Sequence, residues 1–288
     1  MKESPVTTTP VHSFETEPGV DVADTVRTLY ADGIAACRAA FPVEWVDRMH
    51  EDIEAAFRDA LERPGGAVGR GPQRYYSEIH PEQLRGFVDL VDHPWVRAVC
   101  GKVLGADYRI VELGFDVPLQ GAADQPWHRD FPSPEATWRD RRLTSLAFNV
   151  TAVDTEADMG PFEIAPGTQW ESGEDFEHAM FPPREDFPRY EQLAVRKYPR
   201  RGDISVRSAL TIHRGTANHC AKSRPVLVLG VDAPGAGNDA HHDMAVTHAF
   251  WQSLPDRVRA HLRCPVVDTL VPLVQKHTIE GLVMGEAG

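Results

Sequence analysis

YRIVELGFDVPLQGAADQPWHRDF, residues 108–131, is where the chain changes character. Upstream of it, apolar residues recur at helical spacing. From it onward, short apolar or alternating runs follow one another between turn residues: LTSLAFNVTAV, GPFEIAPG, DISVRSALTIH and RPVLVLGVD. Runs of this length, bounded by Gly, Pro and Asp, read as strands. Helices first and strands second predict an α+β protein with one antiparallel core.

The end of the same stretch, QPWHRDF, holds His128 and Asp130 one residue apart. Side chains at i and i+2 of an extended segment share a face, so this imidazole and carboxylate can grip one cation from one side. A third ligand must come from elsewhere, and His213 in LTIHRG is the best candidate. Two histidines and a carboxylate leave coordination positions open, which is the donor set of non-haem Fe(II) oxygenases. Eleven residues after His213, Arg224 opens the apolar run of SRPVLVLG. Its guanidinium could clamp the carboxylate of a second molecule bound to the metal. A rival His241-His242-Asp243 sits in PGAGNDAHHDM, after the last convincing strand and with no arginine-bearing strand downstream, and reads as a surface loop.

Outward from that centre, Asp21 caps a short helix that Gly33 ends, and GIAACRAAF follows as a strand, although its alanines also permit helix. Val43, Val46, Met49, Ile53, Ala56, Phe57 and Leu61 mark a helix over 43–62. Residues 63–81, RPGGAVGRGPQRYYSEIHP, read as a solvated connector, and 82–104 as two short helices divided near His93-Pro94. Residues 1–20, rich in Thr, Pro and Glu, suggest a mobile tail, leaving 21–288 as a single domain. Beyond Asp239, helices are expected around Trp251–Leu262 and Val267–Val274.

A formal net charge of −13 argues against nucleic acid or an anionic membrane as the main partner, but not against a small anion, since a few arginines can reverse the field inside a cleft. Composition, at 42% hydrophobic and 25% charged, is that of an ordinary globular protein. Cys37, Cys100, Cys220 and Cys264 form no CxxC, which suits reduced thiols in a cytoplasmic chain. No run approaches the roughly 18 apolar residues of a membrane helix, and no signal peptide is evident. The sequence assigns no oligomeric state.

YADGIAACRAAFPVEWVDRM, PWHRD, LTSLAFNVTAVDTEADMGPFEIAPGTQW and HRGTANHCAKSRP together, over roughly 30–230, resemble the phytanoyl-CoA dioxygenase family of Fe(II)/2-oxoglutarate oxygenases. Two positions depart from that pattern: Met159 stands where Asn often precedes the glycine, and Gln169 where His often follows PGT. The resemblance implies a double-stranded β-helix, a jelly-roll barrel buttressed by helices. It implies that His128, Asp130 and His213 bind Fe(II) and that Arg224 binds the far carboxylate of 2-oxoglutarate. Asn149 falls at a strand position beside that cosubstrate, with Thr211 and Asn218 as weaker candidates. The expected reaction consumes O2 and 2-oxoglutarate to oxidise a small-molecule substrate, by hydroxylation or by desaturation, epimerisation or ring formation. An aspartate at 130, rather than Gly or Ala, disfavours a halide-binding site. Two readings of other classes, a non-catalytic cupin-like binder and a zinc hydrolase, use the same three ligands; a binder has no need of Arg224. Over the barrel mouth, 64–80 with Tyr75 and Tyr76 and 171–197 with Phe176, Phe181, Phe187 and Tyr190 are the candidate covers.

Overall fold

The computed structural model describes residues 21–132, 134–172 and 180–275. The expected tail, 1–20, and the candidate cover residue Phe176 lie outside the described residues.

Asp21 accepts the N–H of Ala23 at 2.8 Å and so caps α1 (Val22–Asp32). Gly33 ends this helix at φ +77, where a side chain would be strained and would also collide with Thr211. β1 (Ile34–Cys37) follows, the strand option for its alanines. α2 (Val43–Leu61) buries Trp45, Val46, Met49, Ile53 and Ala56 along one stripe, as its periodicity requires.

The next segment differs from expectation. Residues 63–81 are not a solvated connector throughout but carry β2 (Val68–Gly69) and β3 (Arg74–Glu78), a hairpin turned by Gly71 and Gln73 in left-handed conformations. Glycine-rich flanks hid a strand only five residues long. α3 (Phe87–Val91) and α4 (Pro94–Val103) divide at His93-Pro94 as the proline dictates.

β4 (Arg109–Pro118), α5 (Glu135–Asp140), β5 (Ser145–Thr151), β6 (Phe162–Ile164), α6 (Phe187–Leu193), β7 (Val195–Arg196), β8 (Ile204–Ser208), β9 (His213–Gly215) and β10 (Val226–Asp232) complete the body. After them come β11 (Val246–Thr247), α7 (His248–Ser253), α8 (Asp256–Arg259) and β12 (Val266–Val267). The single helix expected over 251–262 is thus two short ones, broken at Leu254-Pro255 because proline cannot continue a helix. The helix expected over 267–274 is absent: β12 ends at Val267, and residues 268–275, with Pro272 among them, form no regular element.

A seven-stranded antiparallel sheet runs β1-β8-β5-β10-β4-β3-β2, and a three-stranded one runs β7-β6-β9. His128 joins the smaller sheet through an antiparallel bridge to His213. Strand alternation divides the large sheet's faces. Leu113, Phe115, Phe148, Val150, Val206, Leu227 and Leu229 pack with α2 and α4 into the main core. Their neighbours in sequence, such as Glu112, Asn149, Ser205, Arg207 and Val228, line a cavity shared with the smaller sheet. Two antiparallel sheets around one cavity, with helices outside, make the α+β double-stranded β-helix expected from sequence. No described helix is long and apolar enough to cross a membrane.

Candidate metal centre

Three side chains converge at the end of the cavity. The ligand atoms of His128, Asp130 and His213 all lie within 4.8 Å of one another, the only such cluster of potential metal ligands among the described residues. Paired backbones bring the histidines together: His128 N–H donates to His213 O at 3.0 Å and His213 N–H to His128 O at 2.9 Å. Asp130 is tied to the other sheet instead, its N–H donating to Ala209 O at 2.9 Å.

Both imidazoles are oriented from behind. Nδ1 of His128 lies 2.8 Å from Pro126 O, and Nδ1 of His213 lies 2.8 Å from Thr211 O. A carbonyl only accepts, so each Nδ1 carries the proton and each Nε2 presents a lone pair to the cavity. Burial, then the neighbouring His213, pushes His128 down to about 3; burial and Arg207 also lower His213. Burial alone would raise the Asp130 pKa, but Arg207 and His213 outweigh it and hold the carboxyl below its usual range. Two neutral imidazoles and one carboxylate are the protonation states a divalent metal needs. The donor set fits Fe(II) with positions left open. Phe162 stacks on His213 at 5.1 Å between centroids, and Phe181 stands 6.1 Å from His128, so aromatic rings screen the site.

Arg224 lies on the cavity wall, 4% exposed. Its Nε donates to Gly160 O at 3.0 Å and to Met159 O at 3.3 Å, which aims the guanidinium. Its two Nη groups hold no hydrogen bond among the described residues. Burial, then the nearby Arg74, pushes its pKa down to about 10, still cationic at neutral pH. The unusual Met159 therefore serves through its backbone carbonyl, which any residue could offer. Gln169, the other departure, is buried and donates from Nε2 to Tyr30 O at 3.0 Å, pinning its turn to α1.

Asn149 faces the cavity from β5, in register between Val228 and Ser205. Thr211 and Asn218 are structural. The Thr211 hydroxyl donates to Gly33 O, and the Asn218 amide donates to Pro118 O and Lys222 O, closing the turn that precedes Arg224. The rival motif forms no such ligand cluster among the described residues; His242 lies between Glu78 and Glu112, with ring nitrogens 3.5 and 3.8 Å from their carboxylates.

Sequence reasoning missed two arginines. Arg207 on β8 grips both oxygens of Asp130. Arg74 on β3 is 1% exposed, with Nη1 on Asp116 at 2.9 Å and Nη2 on Thr216 O at 2.8 Å. Arg207 sits between Val206 and Ser208 in a stretch read as a strand, and a charged residue at such a position was the available signal; Arg74 gave none, because its strand was hidden. Phe181 reaches the metal end, and Tyr76 lines the cavity, but as part of the sheet. Tyr190 is fully buried against Trp127 with its hydroxyl on Glu171, a fixed packing contact.

The family model described as phytanoyl-CoA dioxygenase matches residues 29–226. Among solved structures, AviO1 from Streptomyces viridochromogenes Tue57 is similar at a TM-score of 0.56 and 16% identity, over 76% of this chain and 97% of that one. SnoK, a non-heme α-ketoglutarate-dependent carbocyclase from nogalamycin biosynthesis, superposes at 0.56 with 21% identity, over 75% and 88%. EctD from S. alaskensis, solved with 2-oxoglutarate and 5-hydroxyectoine, gives 0.60 at 16% identity, over 78% and 81%. At these identities the likeness is one of fold. No curated protein matched the chain.

Proposed function

Since the chain belongs to the phytanoyl-CoA dioxygenase family and is an Fe(II)- and 2-oxoglutarate-dependent oxygenase, we propose that it hydroxylates a small-molecule metabolite, releasing succinate and CO2. Fe(II) with 2-oxoglutarate and O2 supplies the oxidant when bound. In this reading His128, Asp130 and His213 hold the metal, Arg224 receives the far carboxylate of 2-oxoglutarate, and Asn149 offers it an amide on the adjoining wall. The observation that carries the reading is the convergence of two Nε2 lone pairs and a carboxylate on one cavity that also holds Arg224.

Charge balance supports the roles. A ferrous ion with one aspartate keeps one net positive charge, and a dianionic cosubstrate reverses it. The planar fork of Arg224 restores the balance where a carboxylate would end. Size bears on the substrate. The cavity holds about 230 Å³, at the small end for ligand sites, which favours a compact metabolite over a CoA thioester.

Protein loaded with Fe(II) and 2-oxoglutarate under nitrogen is expected to develop a visible charge-transfer band. A metabolite screen in air then reads substrate loss coupled to succinate. A protein that binds both and forms no succinate with any compound would sink the proposal. Ring closure is the second reading, favoured by the shared fold of the carbocyclase SnoK. Turnover under ¹⁸O2 separates the two: hydroxylation puts the label in the product, whereas ring closure leaves it out.

A further inference from the structure

Arg207 takes no part in the roles assigned so far, yet it touches the metal centre more closely than Arg224 does. It stands on the inward face of β8, paired in register with Ala147, and is 6% exposed. Its Nη1 donates to Oδ2 of Asp130 at 2.5 Å and its Nη2 to Oδ1 at 3.1 Å. Oδ1 is also the oxygen that faces His213, 3.3 Å from Nε2. The two oxygens of Asp130 are therefore unlike: Oδ1 faces His213 as well as Arg207, whereas Oδ2 is turned to Arg207. Two further contacts fix the assembly. Asp130 N–H is bonded to Ala209 O, two residues beyond Arg207, and the guanidinium carbon stands 5.7 Å over the Phe162 ring that stacks on His213.

We propose that Arg207 is a positioning residue for the metal ligand Asp130: it anchors Oδ2 so that the carboxylate coordinates through Oδ1 alone. The inference rests on the metal-centre reading above. A carboxylate oxygen has two lone pairs, so Oδ1 can accept from Nη2 and still face a metal. With Oδ2 anchored, Asp130 occupies one coordination position rather than two, and the positions needed by 2-oxoglutarate and O2 stay open. Without the anchor, the carboxylate is free to turn about χ2 and must be ordered by the metal itself.

Charge and orientation predict opposite signs, and this decides the test. Removing a cation beside a divalent metal tightens metal binding if charge alone matters. Losing the anchor weakens it, by about tenfold for an outer partner of a ligand. Co(II) binding, followed by calorimetry and by its visible spectrum without 2-oxoglutarate, would be compared for wild type, Arg207→Lys, Arg207→Met and His213→Ala. Thermal melts of each metal-free protein would check folding. Weakening of about tenfold in Arg207→Met, and a smaller weakening in Arg207→Lys, which keeps the charge but loses the fork, are the expected results. Unchanged or tighter binding in a folded Arg207→Met overturns the inference and leaves the metal centre standing. If Arg207→Met does not fold, equal affinity of Arg207→Lys and wild type overturns it. Failure of wild type to bind Co(II) better than His213→Ala overturns the metal-centre reading, and this inference with it.

Discussion

Two backbone carbonyls, Pro126 O and Thr211 O, decide what His128 and His213 can do, because each fixes the tautomer of one ring. That orientation was not legible in the sequence; the residue identities were. His128 and Asp130 could be paired because an extended i, i+2 spacing brings them together without knowledge of the fold. Arg207 could not, since its partner lies 77 residues away and only the closure of the barrel joins them. Changing His128, Asp130 or His213 singly to Ala is expected to abolish succinate formation while the thermal melt stays cooperative. Activity surviving in His213→Ala, but lost on changing His241 or Asp243, would move the chemistry to the rival motif. Arg224→Lys keeps a charge but not the two-armed contact. Its apparent KM for 2-oxoglutarate is expected to rise about tenfold or more, with the substrate KM little changed. An unaltered 2-oxoglutarate dependence would remove Arg224 from that role.

At the scale of elements, periodicity served where it was long. α2 and the split between α3 and α4 were readable, as were the strands β4, β5, β8 and β10, because alternation or helical stripes extend over several residues there. β2 and β3 were obscured by the glycines around them, and what ties them in is contact with a distant strand. A side chain at Gly215 would bring its Cβ within 2.5 Å of Arg74 Nη1, so the glycine of HRG is where the β3 arginine lies against β9. The hairpin is thus sewn into both sheets by one residue, which reaches Asp116 on β4 and Thr216 O just past β9. Arg74→Met removes that link and strands the Asp116 carboxylate. A buried pair broken on one side costs roughly 3–5 kcal/mol, and since Asp116 keeps some solvent contact about 2–3 is expected here. Denaturant unfolding measures it; a loss below about 0.5 kcal/mol, the usual effect of a surface change, would show that Arg74 links nothing.

The whole molecule should have a stability optimum near neutral pH, set by two groups of buried titratable residues at different places in the barrel. On the acid side, burial keeps His128 and His213 neutral when folded, and unfolding lets them charge. Their contribution is present above the unfolded value near 6.5 and is lost as pH falls below it. On the alkaline side the sign reverses. Burial alone would lower His242, but Glu112 and Glu78 outweigh it and, with Asp232, raise it to about 8. Its contribution is complete below about 6.5 and is lost as pH rises through about 8, a span worth on the order of 2 kcal/mol. Asp232, pushed up by burial to about 6, has already lost its own contribution before that window opens. The thiol of Cys264, pushed up by burial to about 12, stays out of the window. Urea unfolding of the metal-free protein at pH 6.5 and pH 8.5 reads the difference directly. Between the two pH values wild type is expected to lose about 1.5 kcal/mol more than His242→Gln, because the gain that His128 and His213 give over the same span is common to both proteins. Equal losses in the two proteins would show that His242 is not charged among these carboxylates, and the alkaline limb would need another source.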